Sequence, residues 1–555
     1  MINFDRKMIN HIIIFIVIVM ILIGVGIAIY YQVRNTDNYE NNLMKDININ
    51  KKYEKLLIDY NNLKKYVKED SSKSTNLPYG DITISINNDD LAKIGKDKWS
   101  DPVQITIDGK TYTCTMKVRG FSSGFQNKKP YNLKFKDKVS FYNLGSSKEW
   151  ALVGEFYDMT FIQNQLTYQL GSEMGLPSPP WMQVVFNTTD NNTKTYHGLY
   201  SLTKKFTAKT VDSNVDAIIE FDRPDPSSNL ITPSDPFCNS APIVFDYNKD
   251  NYSSVQNVID KYGPMYRSIL TTDISNLKNI LDYDSFALYF IISELADSID
   301  GYLVSTYTYV KNGKIHMGFL WDYNMAYGNY FDISSGSVES PFWSCRSPQL
   351  YDKWRYYESN RFAVSSTAND PTNINNYNNS QNPDQNMIRL RGNNNGSPDK
   401  DPNNFISFSR NCKEGNVITN WYVRLLNDQS FVSLISQKYK NLRQTTLSLN
   451  NIVTLINQYS DVLIKYNLAV PDIKKWYNEN TTPNATKWNN PVQSDDVTLS
   501  YYKDTVQYLI KWITKRLEFM DSTILIDKPN LPNDTKNLNT WNDYNIECNK
   551  MPNWN

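Results

Sequence analysis

Residues 300–322 read DGYLVSTYTYVKNGKIHMGFLWD, a segment with the pattern of a β-hairpin and an acidic residue at each end. Two runs rich in β-branched and aromatic residues flank the pair Asn312 and Gly313. Such residues favour strands, and an Asn-Gly pair favours a type I′ turn because both central residues of that turn need positive φ. The segment therefore predicts two antiparallel strands joined by a two-residue turn.

The predicted register of this hairpin brings its two acidic ends together. If Lys311 faces Lys314, then Leu303 faces Asp322 on the neighbouring strand. Asp300 then lies within roughly 10 Å of that pair, at about 3.3 Å per residue. Phosphoryl transfer uses two such carboxylates, one that orients the attacking hydroxyl and one that holds Mg²⁺. The hairpin thus predicts the first role for Asp300 and the second for Asp322.

The composition of the 555-residue chain argues against several classes of site. Basic and acidic residues both number 58, so no net charge would recruit nucleic acid as a partner. Only three histidines are present, which disfavours a multi-histidine metal site, and a Ser-His-Asp triad would depend on His197. The five cysteines are scattered, and their odd number prevents complete internal pairing. Carboxylate chemistry is therefore favoured by elimination.

An N-terminal apolar segment predicts a membrane anchor. After a short tail at residues 1–10, residues 11–33 form a transmembrane helix in this interpretation, because their apolar run can span about 30 Å of hydrocarbon. A cleavable signal peptide is the alternative, but no clear A-x-A-like site follows the run. We expect a single-pass membrane protein with an N-terminal signal-anchor. The Asn-rich composition fits an AT-biased genome, and in a viral chain the anchor would lie in the virion or a host membrane.

Residues 34–78 are expected to form a helical stalk or linker. Apolar residues recur there at heptad-like spacing, at Ile49, Tyr53, Leu56, Tyr60, Leu63 and Val67. Fewer than three full heptads make a weak coiled coil, so a lone helical stalk and a zipper that dimerises the chain both stay open.

The remainder of the chain predicts one α+β domain at residues 79–525, strand-rich in its N-terminal part and helical in its C-terminal part. Alternating apolar residues predict strands at 82–86, 112–118, 131–135, 181–186 and 197–202. Helical patterns occur at 158–174, 282–295, 420–468 and 498–523. A low-complexity insertion at 365–404 and an Asn/Pro-rich tail at 526–555 lack periodicity.

The helix predicted at 282–295 leads directly into the acidic hairpin. Asp284 is the expected N-cap, and the helix is expected to close near Gly301 in a left-handed conformation. Asp297 and Asp300 both lie near this end. We prefer Asp300 as the functional residue because Gly301 would place it at the exposed helix end.

A second functional pattern lies in residues 117–134, where two predicted strands flank a loop rich in glycine, serine and basic residues. Glycines let backbone N–H groups approach an anion, and hydroxyl groups and cations complete a phosphate-binding site. The candidate ATP-binding residues are Arg119, Gly120, Ser122, Ser123 and Lys134, with Lys128 and Lys129 beside them. A plain hairpin turn explains the same loop, so this prediction depends on the acidic hairpin at 300–322.

Several sequence blocks, in order along the chain, resemble the CotH-type (spore-coat protein H) atypical protein kinases. The blocks are residues 119–123 (RGFSS), 128–134 (KKPYNLK), 150–153 (WALV) with Asp158 and the pair Gln163 and Asn164, 198–202 (GLYSL), 216–222 (DAIIEFD), 300–307 (DGYLVSTY), 318–329 (GFLWDYNMAYGN) and 421–431 (WYVRLLNDQSF). The resemblance implies an atypical protein-kinase-like fold that binds ATP and Mg²⁺. It also implies transfer of the ATP γ-phosphoryl group to Ser or Thr of a protein substrate.

The resemblance implies roles for individual residues as well. Asp300 matches the catalytic-loop aspartate of the family, and Asp322 matches its metal-binding aspartate. Arg119 and Lys134 match basic positions of the first block. Asn324 stands where the family's Trp-Asp-x-Asp has its second acid, and its amide oxygen can still ligate Mg²⁺, though more weakly than a carboxylate.

Different functions stay open for the domain. The first is a membrane-anchored Ser/Thr protein kinase that depends on Mg²⁺ and ATP. The second is a catalytically inactive kinase-like surface protein with a binding or structural role. Asn324 favours the second, as does Lys204, which stands where the family's Gly-x-Tyr-x-x-x-Glu pattern has an acid. A carbohydrate-binding surface protein has only the abundant Tyr and Trp behind it.

Overall fold

The computed structural model describes most of the predicted domain. The described residues are 79–120, 123–222, 229–231, 241–269, 272–298, 300–302, 304–328, 421–422, 424–476, 494–526 and 529. The anchor predicted at 11–33, the stalk at 34–78, the insertion at 365–404 and nearly all of the tail at 526–555 lie outside them. Among the helices within these ranges, none is both long enough and apolar enough to cross a membrane.

The first half of the domain is a closed seven-stranded barrel. Its strands are β1 (Gly80–Ser85), β2 (Val103–Ile107), β3 (Lys110–Val118), β4 (Tyr131–Ser140), β5 (Ser146–Val153), β6 (Trp181–Asp190) and β7 (Thr193–Lys204). Their order around the barrel is β1-β2-β3-β4-β5-β7-β6. All neighbouring pairs are antiparallel except β6 with β1, which closes the barrel as a parallel pair. Closure leaves no edge strand unpaired.

The barrel interior is filled by the apolar residues of the alternating strands. Ile82 and Ile84 from β1, Met116 from β3 and Leu133 from β4 are all fully buried. Side chains on a strand point alternately to opposite faces, so this alternation puts every second residue of β1, of most of β3 and of the start of β4 inside. Strands are confirmed at the predicted positions 82–86, 112–118, 131–135, 181–186 and 197–202, although several extend up to five residues farther than predicted.

A separate four-stranded antiparallel sheet contains the acidic hairpin. Its strands are β8 (Val215–Asp222), β9 (Ala241–Tyr247), β10 (Thr306–Lys311) and β11 (Lys314–Met317), in the order β11-β10-β8-β9. Lys311 pairs with Lys314, as the sequence predicts. Asn312 and Gly313 have φ values of 51° and 72°, which fit the type I′ turn.

The hairpin is shorter than the sequence predicts. The strand ladder ends at the pair Thr308 and Met317, with one further hydrogen bond from the Gly318 N–H to the Tyr307 carbonyl at 3.1 Å. The expectation that strand pairing extends to Asp322 is therefore wrong. Gly318 has a φ of 150° and Phe319 has a φ of 67°, so the chain leaves the strand conformation before it reaches Asp322.

Ten helices complete the described part of the domain. They are α1 (Asn88–Lys93), α2 (Gln163–Glu173), α3 (Ala208–Val211), α4 (Val255–Ser268), α5 (Leu277–Ile280), α6 (Tyr283–Ala296), α7 (Gln429–Arg443), α8 (Leu449–Lys465), α9 (Ala469–Trp476) and α10 (Asp495–Ile524). Helix α6 is buried along most of its length. A buried ion pair of 3.0 Å, from Arg516 on α10 to Glu294, fixes α6 against the C-terminal helices.

Both ends of helix α6 differ from the sequence expectation. Asp282, rather than Asp284, is the N-cap, and its carboxylate accepts the Ser285 N–H at 2.9 Å. The carboxylate of Asp284 instead pairs with Lys438. Asp297, rather than Gly301, takes the left-handed position after the helix, with a φ of 48°. Aspartate tolerates this conformation better than most residues, so no glycine is needed there.

Helix α2 begins later than predicted, at Gln163 instead of Asp158. The Asp158 carboxylate accepts the backbone N–H of Gln163 at 2.8 Å and that of Thr160 at 2.8 Å. These bonds give N–H groups at the start of the helix an acceptor that lies outside the helix. Asp158 therefore stabilises the turn before α2 and is not part of the helix.

Gly198 allows helix α9 to pack closely against the barrel. Its φ is 133°, and a Cβ built there would lie 2.6 Å from Asp472 Oδ2 and 2.9 Å from Trp476 Nε1. We expect Gly198→Ala to lower the free energy of unfolding by about 2–4 kcal/mol, through overpacking and backbone strain. Urea unfolding of Gly175→Ala is the matched control, because Gly175 has a φ of 90° but nothing within 4 Å. Equal losses in the two variants would contradict the packing argument.

Candidate functional site

A cluster of aromatic rings fixes the chain that follows strand β11. The rings of Phe206 and Phe319 stack at 3.6 Å between centroids, with an interplanar angle of 11°. Trp321 and Tyr307 contact the same Phe206 ring at 5.8 Å and 5.3 Å. Since Phe206 follows the last barrel strand, this cluster holds Trp321 and Asp322 next to the barrel.

Arg119 reaches this cluster from the barrel. It follows strand β3, and its guanidinium lies 5.1 Å from the centroid of the Trp321 ring. Burial, and then the charges of Glu155 and Asp322, raise the pKa of Tyr168, whereas the charge of Arg119 lowers it. Arg119 and Asp322 therefore both lie close enough to act on the same hydroxyl group.

Asp322 lies in a tightly constrained segment after β11. Its φ of 66° is left-handed, a conformation that costs a non-glycine residue about 1–2 kcal/mol. Tyr327, at the other end of the segment, also has a positive φ, and its N–H donates to the Ala296 carbonyl at the end of α6 at 2.6 Å. Asn324 is buried between them, while Asp322 itself is partly exposed.

Asp300 lies in the turn that connects α6 to β10. Its carbonyl accepts the Val304 N–H at 3.2 Å and the Thr306 hydroxyl at 3.3 Å. The Tyr289 hydroxyl donates to the neighbouring Gly301 carbonyl at 2.5 Å. Burial raises the pKa of Tyr289, and the charge of Asp300 adds to that rise. Asp300 is a partly exposed residue, as is Asp322.

Helix α6 links the two acidic segments. The Tyr289 hydroxyl binds the Gly301 carbonyl, and the hydroxyl of Ser293, one turn farther along α6, hydrogen-bonds with that of Tyr323 at 3.5 Å. The Asp300 turn and the Asp322 segment thus meet on the same buried helix. The two segments come together through this helix and not through an extended strand ladder.

The predicted phosphate loop is described in part. Gly120 has a φ of 77°, and a Cβ there would lie 2.1 Å from Ser123 Oγ, so only glycine fits. Ser123 begins a short 3₁₀ turn, Ser123–Phe125. The Lys129 ammonium donates to the Gly124 carbonyl at 2.9 Å and fixes this turn. Ser122 lies outside the described residues.

The basic residues around this loop have different environments. Lys134 is exposed on the outside of β4, 4.0 Å from Glu149 Oε1 and 5.4 Å from the centroid of the Trp99 ring. Arg119 instead packs on Trp321. Lys128 lies beside the loop as expected but is fully buried, so it does not face solvent as a phosphate-binding cation would. Its partner is Asp472, at 2.8 Å.

Lys205 is a cation near the site that the sequence did not identify. It pairs with Glu149 at 3.2 Å and lies 5.2 Å from the centroid of the Phe245 ring. Its charge also lowers the pKa of Glu220. No motif distinguishes it from its neighbour Lys204, whose ammonium lies against Gly145 at the β4–β5 turn.

Glu220 is a second residue that sequence reasoning did not assign. Burial, and then the charge of Asp222, raise its pKa to about 7, and the Tyr307 hydroxyl donates to Glu220 Oε1 at 2.5 Å. The Arg119 charge opposes this rise. Glu220 thus lies near enough to Asp222 and Arg119 to be affected by both charges, and it is only partly exposed. Its position two residues from Asp222, on the same face of β8, is the signal in the sequence.

Glu155 titrates in a buried site behind Asp322. Burial, and then the charge of Asp158, raise the pKa of Glu155 to about 7, against an ordinary value of 4.5. The folded chain therefore binds this proton more tightly than the unfolded chain. Stability from this group is fully present below pH 4.5 and is lost as the pH rises through about 7.

We expect the free energy of unfolding to fall between pH 5 and pH 7.5, with Glu155 contributing about 2–3 kcal/mol of the decrease. Urea unfolding at several pH values measures this slope. Glu155→Gln removes the titrating group, so the variant should show a shallower slope. An unchanged slope in that variant would show that Glu155 does not titrate as described.

The residue types at positions 322 and 324 suit a magnesium ion that also binds phosphate. Mg²⁺ prefers oxygen ligands and is commonly held by one or two carboxylates together with substrate phosphates and waters. Asp322 offers a carboxylate and Asn324 an amide oxygen. In the described ranges, no group of three or more His, Cys, Asp or Glu residues is arranged to hold a metal ion. A site completed by phosphate oxygens does not need such a group.

Comparison with known families identifies the chain. Residues 116–520 match the family model described as CotH kinase protein, and this match covers the barrel from β3 onward, the second sheet and nearly all of the C-terminal helices. No curated protein matches the chain. The matched region is well over half of the 555 residues and includes Arg119, Asp300 and Asp322. The chain therefore belongs to the CotH kinase family.

Proposed function

We propose that this chain is a protein kinase that transfers the γ-phosphoryl group of ATP to Ser or Thr hydroxyls of a protein substrate, with Mg²⁺ as its metal ion. One observation carries the proposal: helix α6 holds the Asp300 turn through Tyr289, and it holds the segment that follows Asp322 through Ser293 and the Ala296 carbonyl. Arg119 adds a cation to the same place through its contact with Trp321. Membership of the CotH kinase family supports this assignment.

In the proposed reaction the chain's own residues orient the substrates. Asp300 would accept a hydrogen bond from the Ser or Thr hydroxyl and take its proton. The hydroxyl oxygen forms a bond to the γ-phosphorus as the bond to the β–γ bridging oxygen breaks, and ADP leaves. Arg119 would stabilise the negative charge on the phosphate oxygens. The Gly120 and Ser123 turn would bring backbone N–H groups to the phosphates.

Asp322 and Asn324 are the residues that would hold Mg²⁺, which neutralises phosphate charge when it is bound. The partial exposure of Asp322 leaves its carboxylate accessible to a metal ion. Lys134 and Lys205 flank Glu149, and we propose that they extend the positive side of the ATP site.

A phosphoryl-transfer assay on the full-length chain tests the proposal. With labelled ATP, Mg²⁺ and a protein rich in Ser and Thr, label should enter protein on Ser or Thr. Chelation of Mg²⁺ with EDTA should lower the transfer to background, and excess Mg²⁺ should restore it. Transfer no greater than in the EDTA control would overturn the proposed activity.

A catalytically inactive binding or structural role is the second candidate, and Asn324 is the residue that favours it. An amide carries no negative charge, so it holds Mg²⁺ less firmly than a second carboxylate would. Calorimetric titration with ATP, with and without Mg²⁺, separates the two candidates. A folded chain that binds no ATP under either condition would support the inactive role.

A further inference from the structure

One face of helix α2 holds the backbone of the Asp322 segment. The N–H of Asp322 donates to the Tyr168 hydroxyl at 3.3 Å. The next N–H, that of Tyr323, donates to Asn164 Oδ1 at 2.6 Å. Asn164 and Tyr168 are four residues apart, so they lie on the same side of the helix, one turn from each other. Two successive peptide N–H groups of the segment therefore bind two successive turns of α2.

The orientation of the Asn164 amide is fixed from both sides. Its oxygen accepts the Tyr323 N–H, and its Nδ2 donates to Glu155 Oε2 at 2.8 Å. Glu155 is itself fixed by Gln165, whose Nε2 donates to the other carboxylate oxygen at 3.3 Å. Asn164 and Glu155 are each 2% exposed, so water does not replace these bonds. A rotated amide would place its NH₂ group against the Tyr323 N–H, which is unfavourable.

These bonds hold a backbone conformation that the segment would otherwise leave. Asp322 has a φ of 66°, a left-handed conformation that costs most L-residues about 1–2 kcal/mol and that aspartate adopts more readily than most. If the two N–H groups lose their acceptors, the peptide between Asp322 and Tyr323 can rotate toward a lower-energy conformation. The Asp322 carboxylate would then lose its direction.

We infer that Asn164 and Tyr168 are positioning residues that direct the Asp322 carboxylate toward its metal ion. This inference rests on the proposed function, in which Asp322 holds Mg²⁺. Neither residue would touch the metal or ATP. Each acts by accepting a hydrogen bond from a peptide N–H. The Asn164 amide is itself held by Glu155 and by its place in the buried start of α2, so the N–H bound to it is held in place as well.

A purely structural role is the alternative, because α2 also contacts the segment farther from Asp322. The hydroxyls of Thr167 and Tyr327 hydrogen-bond at 2.7 Å. Both residues are buried, so this bond resembles that of Asn164 in burial and length. Thr167→Val removes this bond with little change in volume. The bond is made to Tyr327, which lies five residues beyond Asp322. This variant is the matched control.

The experiment measures Mg²⁺ affinity and local backbone protection in the full-length chain. Mg²⁺ is titrated calorimetrically at fixed ATP. We expect a loss of affinity of about 10–100-fold in Asn164→Ala, as is typical when an outer-shell partner is removed. Tyr168→Phe, which removes one oxygen, should lose roughly 3–10-fold, the effect of a single hydrogen bond. Thr167→Val should change the affinity by less than about twofold, because distant bonds act independently.

Hydrogen exchange without any ligand gives a second readout that does not require kinase activity. The amides of Asp322 and Tyr323 should exchange faster in Asn164→Ala and Tyr168→Phe, while Thr167→Val leaves them protected. If Asn164→Ala does not fold, the isosteric Tyr168→Phe variant decides the outcome.

The two readouts separate failure of the inference from failure of the proposed function. Unchanged exchange at Asp322 and Tyr323 in the folded variants would overturn the positioning role, whatever the wild type binds. Equal loss of Mg²⁺ affinity in Thr167→Val would also overturn it, in favour of a general structural role. If the variants exchange faster but the wild type binds no Mg²⁺ in the presence of ATP, the backbone contact would be upheld and the proposed function would be overturned.

Discussion

Replacing Asp322 with asparagine is expected to lower phosphoryl transfer by about 10²–10³-fold while the domain stays folded. The substitution removes the negative charge that would bind Mg²⁺ and changes the shape of the side chain very little. Asparagine also tolerates the left-handed conformation that Asp322 adopts, with its φ of 66°. Asp322→Ala would lose the same charge and, in addition, about 1 kcal/mol of stability through backbone strain. Labelled ATP measures the rate, and urea unfolding measures the stability.

Asp108→Asn is the matched control for this variant. Asp108 is also an aspartate with a left-handed backbone, at a φ of 52°, but it lies exposed at the β2–β3 turn of the barrel. Its substitution should leave the transfer rate within about twofold, as for a surface change far from the site. If Asp322→Asn retained more than a tenth of the wild-type rate, Asp322 would not be the main metal ligand.

The hairpin shows what local sequence determines. The Asn312 and Gly313 turn, and the pairing of Lys311 with Lys314, follow from two residues that both favour positive φ. The same local pattern does not determine where the ladder ends, since this depends on the stacking of Phe319 on Phe206, a residue more than a hundred positions earlier. Asp322 consequently leaves the strand, and its conformation could not be predicted from alternation alone.

Local sequence likewise predicts only part of the candidate site. Arg119, Asp300 and Asp322 lie in recognisable sequence blocks, and the structure brings their surroundings together through Trp321 and helix α6. Glu220 also lies in such a block, but its environment, like that of Lys205, is set by neighbours on other strands.

Three parts of the fold supply the candidate site. The barrel provides Arg119, the turn after helix α6 provides Asp300, and the chain after β11 provides Asp322. Phosphoryl transfer requires such groups to be held in fixed relation, because positioning and charge stabilisation account for most of its catalysis. The contacts that hold these parts together are therefore as necessary to the proposed activity as the charged groups themselves.

The buried pair of Lys128 and Asp472 joins the barrel to helix α9, and breaking it should have the largest effect on stability. The two side chains lie 344 positions apart in sequence, are fully buried and join the phosphate loop to helix α9. Asp472 Oδ2 also accepts the Leu199 N–H at 2.6 Å. We expect Lys128→Met to lower the free energy of unfolding by about 3–5 kcal/mol, because it leaves a buried carboxylate without its cation. Urea unfolding measures the loss.

A double-mutant cycle separates the ion pair from general packing. Asp472→Asn alone should cost a similar amount, since it leaves the Lys128 ammonium buried without a partner. Lys128→Met with Asp472→Asn removes both charges and keeps an oxygen for the Leu199 N–H. The double variant should therefore lose less than the sum of the single variants, by about 2–3 kcal/mol. Additive losses would show that the two charges are not coupled.

The pH dependence of Asp472→Asn gives an independent check. Burial lowers the pKa of Lys128 from its ordinary value of 10.5, and in this variant no carboxylate of Asp472 opposes the shift. Between this lowered pKa and about 10.5, Lys128 binds fewer protons in the folded variant than in the unfolded chain, so the stability of the variant should rise as the pH rises through that range. In Lys128→Met this rise is expected to be absent, because no amine remains to titrate. A rise of equal size in both variants would contradict the assignment of the buried charge to Lys128.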